Sequence, residues 1–144
     1  MTEYKVRQNR TAKEFLDNAR DLNRLIGSTQ ESIDSLTPPK CGIGAGSHAS
    51  GNTEPDKQVR RYELEQNLVS YMESLLDYNE ALVEILNSGE FTPREKIIIQ
   101  QRYIIGKSWK EIADYMDRSV DYIRKLDNRL KQKLEGKPKY WKYV

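Results

Sequence analysis

One cysteine and one histidine in 144 residues leave this chain almost no metal or redox chemistry. A structural zinc site takes about four Cys or His ligands, usually in paired spacings. Cys41 and His48 are the whole supply, so no metal and no other cofactor is expected. A lone cysteine cannot close an internal disulfide, which fits a reducing cytoplasm. No stretch approaches the ~20 apolar residues of a membrane span, so no membrane partner is expected. Met1-Thr-Glu-Tyr-Lys5 also lacks the apolar core of a secretory leader. The chain has no phosphate-binding glycine loop, nucleophile elbow or carboxylate signature, and His48 lies in a glycine-rich stretch, so an enzyme is not expected.

What the chain has in quantity is charge, and the charge is unevenly divided. At 37% hydrophobic and 32% charged it can bury only a modest core, in one domain or one small domain with an extension. From Pro93 onward there are fourteen Lys or Arg against seven Asp or Glu, whereas residues 1–92 hold ten against fifteen. The two parts should therefore meet different partners. A basic carboxyl part gains affinity for phosphate chains by releasing counterions, and the acidic amino part would be repelled by them.

The apolar pattern is helical throughout and predicts an all-α fold. Between Arg10 and Leu36, residues Phe15, Ala19, Leu22, Ile26, Ile33 and Leu36 step by three and four, with Thr29 in one weak slot. Glycine, proline and small polar residues then predict a flexible linker over residues 37–56. From Lys57 to Asn87 a heptad pattern returns through Tyr62, Glu65, Val69, Met72, Leu76, Asn79, Val83 and Leu86, widened by Leu68, Leu75 and Leu82. A face this broad can pack on the first helix as an antiparallel, coiled-coil-like hairpin and still leave surface for another chain. Residues 1–91 are thus expected to form a hairpin that closes on itself or makes a homodimer or higher oligomer, with Asn79 fixing register.

Gly89 is placed to end the second helix, and Thr92-Pro-Arg-Glu95 opens the next with an N-cap, a first-turn proline and a capping-box glutamate. That third helix should run to about Ile105, with Ile97, Ile98, Ile99, Tyr103 and Ile105 bracing the two helices after it.

Those two helices are announced by two further starts and one sharp turn. Ser108 and Glu111 have capping-box spacing, and Trp109, Ile112, Ala113 and Met116 share one helical face. Asp117 tolerates the left-handed backbone of a tight turn, which frees Ser119 to cap the next helix. On that helix Ile123, Leu126, Leu130 and Leu134 face inward, while Asp121, Lys125, Asn128 and Gln132 gather opposite, flanked by Arg124 and Arg129. This is how a helix-turn-helix reads in sequence. The outward residue types suit a major groove: Arg or Lys for guanine, Asn for adenine, Asp for cytosine. Asp121, Arg124, Lys125 and Asn128 are the expected base readers, and Lys110, Arg118 and Arg129 the expected phosphate contacts. A bland alternative is a helical adaptor whose charged face only meets water.

From Thr92 to Leu134 the chain resembles region four of bacterial sigma factors, on the strength of Thr92-Pro-Arg-Glu95, Tyr103-Ile-Ile-Gly-Lys-Ser108, Glu111-Ile-Ala113, Arg118-Ser119 and Ile123-Arg124. The order of a helical amino part, a glycine-rich interruption and this domain is similar to small phage regulators of late transcription in the RinA and ArpU group. The resemblance implies double-stranded promoter DNA and RNA polymerase as partners, and the host cytoplasm as the place of action. It also implies contacts from Val120, Asp121, Arg124 and Lys125, at the start of the recognition helix. Val120 departs from the polar residue usual there, and Asp117 replaces the usual turn glycine. The acidic extension has no counterpart in region four.

The domain limits expected are residues 1–91 for the hairpin, 92–135 for a three- to four-helix DNA-binding domain, and 136–144 for a basic-aromatic tail. In that tail Trp141 is expected to fold back on the helices, with the lysines left for phosphates. Other readings are a small terminase subunit, which joins a helix-turn-helix to an oligomerising region, and a protein adaptor without DNA.

Overall fold

Hydroxyl caps at Thr11, Thr92, Ser108 and Ser119 each open a helix. The computed structural model, which describes residues 9–37 and 53–144, has helices and no strand among those residues. Thr11 accepts the Glu14 amide and opens α1, Ala12–Ser35. Next come α2, Thr53–Asn87, and α3, Pro93–Ile98, which continues as a π-helical segment, Ile99–Ile105. Then follow α4, Trp109–Met116, α5, Val120–Glu135, and a single 3₁₀ turn, Pro138–Tyr140. Most of the expected linker lies outside the described residues, but its far end does not: Thr53 to Asp56 already belong to α2, where Pro55 is tolerated because first-turn amides need no partner.

α1 and α2 form the hairpin, with the Phe15 and Tyr78 rings stacked at 5.4 Å across the pair. The face α2 turns inward is not the one its heptad suggests. Leu64, Leu68, Tyr71, Leu75, Tyr78, Leu82 and Ile85 are half-buried or buried, whereas Tyr62, Val69, Met72, Leu76 and Val83 are exposed. The reason is continuity: the inward row steps by four and three without a charge, while the other is broken by Glu65 and Asn79. Asn79 is half-buried, and its Oδ1 has no hydrogen-bond partner among the described residues.

The π-helical segment corrects a second expectation. Ile98, Ile99 and Tyr103 are buried, as a brace requires, and Ile97 is half-buried, but Ile105 is 55% exposed. A π turn is wider than an α turn, so residues after it rotate out of the expected phase, and Ile104 takes the packed place instead. The segment closes on Gly106 at φ 97°, whose amide and that of Lys107 both donate to the Gln101 carbonyl.

Apolar packing is shared by all three expected segments. One apolar cluster runs from Ala12, Phe15 and Leu16 through Ala81, Leu82 and Ile85 to Ile98, Ile112, Ile123, Leu130 and Leu134. The last nine residues belong to it as well: Tyr140 and Trp141 are buried, and the Trp141 Nε1–H donates to the Leu134 carbonyl at 2.7 Å. Asn9 fastens this end to α1, donating from its amide to the Lys142 carbonyl and from Nδ2 to the Trp141 carbonyl. Glu135 Oε1 accepts the Ala12 amide at 2.8 Å, placing a carboxylate at the positive end of α1.

Candidate nucleic-acid interface

The turn between α4 and α5 is built from backbone hydrogen bonds. The Arg118 amide donates to the Ala113 carbonyl at 3.0 Å and the Asp117 amide to the Asp114 carbonyl at 3.2 Å, the pair of bonds that defines a Schellman end. Asp117 takes φ 58°, ψ 46°, and is the one non-glycine with positive φ among the described residues. Ser119 Oγ then accepts the Tyr122 amide at 3.1 Å and starts α5. Two residues, Arg118 and Ser119, separate that left-handed aspartate from α5.

Both upstream caps form as reciprocal boxes. Ser108 Oγ accepts the Glu111 amide at 3.2 Å while Glu111 accepts the Ser108 amide at 2.8 Å. That backbone bond, then the Ser108 hydroxyl, holds the Glu111 carboxyl below its ordinary pKa. Thr92 and Glu95 repeat the arrangement. Glu95 is buried, and burial alone would raise its pKa. The ion pair from Lys133 at 2.8 Å and the Thr92 bonds outweigh that and hold it below the carboxylate range. Lys133 thereby ties the carboxyl end of α5 to the amino end of α3.

Inside, Tyr103 and Asp127 form a buried polar pair, hydroxyl to Oδ1 at 2.7 Å, with Lys131 Nζ 2.9 Å from Oδ2. Burial and the neighbouring carboxylate push the Tyr103 phenol well above its ordinary range. Asp127 thus sits inward on α5, beside the apolar stripe.

The outward face of α5 is open. Asp121, Arg124, Lys125 and Asn128 are all exposed and share one stripe of the helix, and Val120, at its start, is half-buried. Asp121 and Lys125 pair at 3.2 Å across one turn, an exposed bond that competes weakly with other ligands. The expected phosphate residues are exposed too, but they separate. Lys110 stands in the first turn of α4. Arg118 joins a group around Tyr122, its guanidinium 5.3 Å from the ring centre. Arg129 lines a shallow cleft with Thr92, Arg94, Tyr122 and Leu126.

Nothing in the sequence pattern marks Arg94 as part of this surface. Its Nη1 donates to the Tyr122 hydroxyl at 2.6 Å and its guanidinium lies 5.9 Å from that ring. Three arginines, 94, 118 and 129, therefore surround one tyrosine at the α3 flank. Twenty-eight residues separate Arg94 from Tyr122, so no helical period connects them.

A second basic group, equally without a sequence signature, stands at the amino end of α4. The Arg102 guanidinium lies 3.9 Å from the centre of the Trp109 ring and donates to the Lys107 carbonyl. On α1, Asn23 Nδ2 donates to the Ile104 carbonyl at 2.8 Å, which brings Arg20 and Arg24 to the same place. Burial, then the Arg20 charge and more weakly that of Arg24, lowers the Arg102 pKa. The Arg20 and Arg102 Nε atoms have no partner, and none of the three arginines has an ion pair among the described residues. Like charges gathered without a direct ion pair can hold an anion such as a phosphate, although the nearby Asp127 carboxylate offsets part of the Arg102 charge.

No group of three or more potential metal ligands occurs among the described residues. No described helix is long and apolar enough to cross a membrane. In comparisons with known proteins, no family, no curated protein and no solved structure matches the chain.

Proposed function

We propose that this chain is a phage-type regulator of transcription that binds promoter DNA, with α5 as the recognition helix in the major groove. One observation supports this above the others: two capped helices joined by a short left-handed turn, the second presenting an uncovered stripe of Asp121, Arg124, Lys125 and Asn128. Arg124, Lys125 and Asn128 meet base edges, and Asp121 accepts from cytosine once Lys125 releases it. Lys110, Arg118 and Arg129 hold phosphates, joined by Arg94 on the α3 flank. The resemblance to sigma region four supports RNA polymerase as a second partner, met in the host cytoplasm. The acidic hairpin stays clear of the DNA and either contacts the polymerase or oligomerises.

Selection of bound duplexes from a random pool, followed by titration of the winners at several salt concentrations, tests this directly. Arg124→Ala should lower affinity for the selected site by about 1–3 kcal/mol and relax the preference at one position, while Lys110→Ala should weaken all sequences alike and flatten the salt slope. No enrichment and no salt-dependent binding would leave the adaptor reading in its place.

A further inference from the structure

The basic group at the amino end of α4 draws on three separate parts of the chain. Arg20 and Arg24, about one turn apart, stand on the same side of α1, and Arg102 comes from the middle of the π-helical segment. Two contacts hold the parts together: Asn23 Nδ2 donates to the Ile104 carbonyl at 2.8 Å, and the Arg102 guanidinium lies 3.9 Å from the centre of the Trp109 ring. A π turn in a helix is rare, and such turns gather at functional sites.

The donors of this group are underused. Arg102 Nη1 donates to the Lys107 carbonyl at 3.1 Å, but its Nε and that of Arg20 are buried and have no partner among the described residues. Arg24 is exposed and has no ion pair there either. Covered N–H groups without an acceptor carry a desolvation cost, which an oxyanion drawn between the arginines removes.

The neighbouring carboxylates are already engaged. Asp127 is held by the Tyr103 hydroxyl and Lys131, Asp17 by Lys13, and Glu111 by the Ser108 amide. Asp21 is exposed and pairs with none of the arginines. At Arg102 burial, and then repulsion from Arg20, lead over the attraction of Asp127. Guanidinium forks that approach from two elements suit tetrahedral oxygens better than the flat pair of a carboxylate.

We propose that Arg20, Arg24 and Arg102, backed by Trp109, form a site for a phosphate group, in which the hairpin and the helix-turn-helix share one anion. Its existence does not rest on the reading of α5. The phosphate belongs either to a DNA backbone or to a free phosphate compound such as a nucleotide, and the oxyanion chemistry is common to both.

Nitrogen-15 spectra of the full-length chain resolve the arginine Nε–H groups one by one. In phosphate-free buffer at fixed ionic strength, added inorganic phosphate or pyrophosphate should move the Arg20 and Arg102 signals, with saturation below about 10 mM. Arg24→Gln, a change to an exposed side chain, should weaken that binding roughly threefold or more. A short DNA duplex that moves the same two signals, with Arg24→Gln flattening its salt slope by about one unit, assigns the phosphate to the backbone. A duplex that leaves them in place while phosphate moves them assigns it to a free compound. Both results uphold the site, whereas failure to enrich any duplex from a random pool bears on α5 alone. Signals unmoved by phosphate, pyrophosphate and duplex overturn the site, and so does phosphate binding that Arg20→Gln and Arg24→Gln leave unchanged.

Discussion

Removing one oxygen atom from Tyr103 should measurably weaken the fold. Its hydroxyl lies 2.7 Å from Asp127 Oδ1, and both residues are at least 98% buried. Tyr103→Phe keeps the ring and its packing, so the loss is confined to one hydrogen bond on a buried charge. Oδ1 would then face a dry interior with no donor, while Lys131 still holds Oδ2. Hydrogen bonds to charged groups are worth about 1.5–3 kcal/mol. For a chain of 144 residues that corresponds to a fall in Tm of roughly 5–10 °C. Urea denaturation followed by circular dichroism measures it, and a double-mutant cycle with Asp127→Asn should return a coupling of about 1 kcal/mol or more.

Alkali gives a second reading of the same bond. The unfolded phenol ionises near 10, whereas the native one is pushed well above that by burial first and Asp127 second. A group whose native pKa is raised contributes its full stability below the unfolded value and loses it as pH climbs beyond. The wild-type chain should therefore weaken above about pH 10 by a component that Tyr103→Phe lacks. A loss under 0.5 kcal/mol at neutral pH, with an unchanged denaturant slope, would refute the reasoning.

Asp117→Gly should stabilise the chain by about 0.5–1 kcal/mol, since glycine removes a left-handed strain of about 1–2 kcal/mol and returns part of it as unfolded-state entropy; thermal melts decide the sign. Trp141→Ala should cost about 3–5 kcal/mol, because the indole is buried and bonded to the Leu134 carbonyl, and equilibrium unfolding that shows a neutral change would detach the last nine residues from the core.

Local chemistry explains which features could be read from the chain alone. The boxes at Thr92 and Ser108, the cap at Ser119 and the turn at Asp117 each involve residues within a few positions, and all four occur as expected. The hairpin and the inward stripe of α5 follow from period. The inward face of α2 is harder to read, because two apolar rows lie side by side and differ only in continuity, the outward one being broken by Glu65 and Asn79, before packing against α1, some sixty residues away, separates them. The π-helical turns have no signature in Ile99-Gln-Gln-Arg-Tyr-Ile-Ile105, so Ile105 turns outward by a rotation that composition does not encode. The arginines around Tyr122 and Trp109 meet across 28 residues or more in the cases of Arg94 and Arg20, beyond any periodic argument.

The continuous core has a mechanical consequence. Hinges form where few contacts cross, and here α1 runs from the hairpin into the packing around α5, with Asn9, Glu135 and Trp141 closing the joint. The base of the hairpin is therefore fixed to α5 through one core. A tilt imposed there is passed to α5 and not absorbed by a swivel.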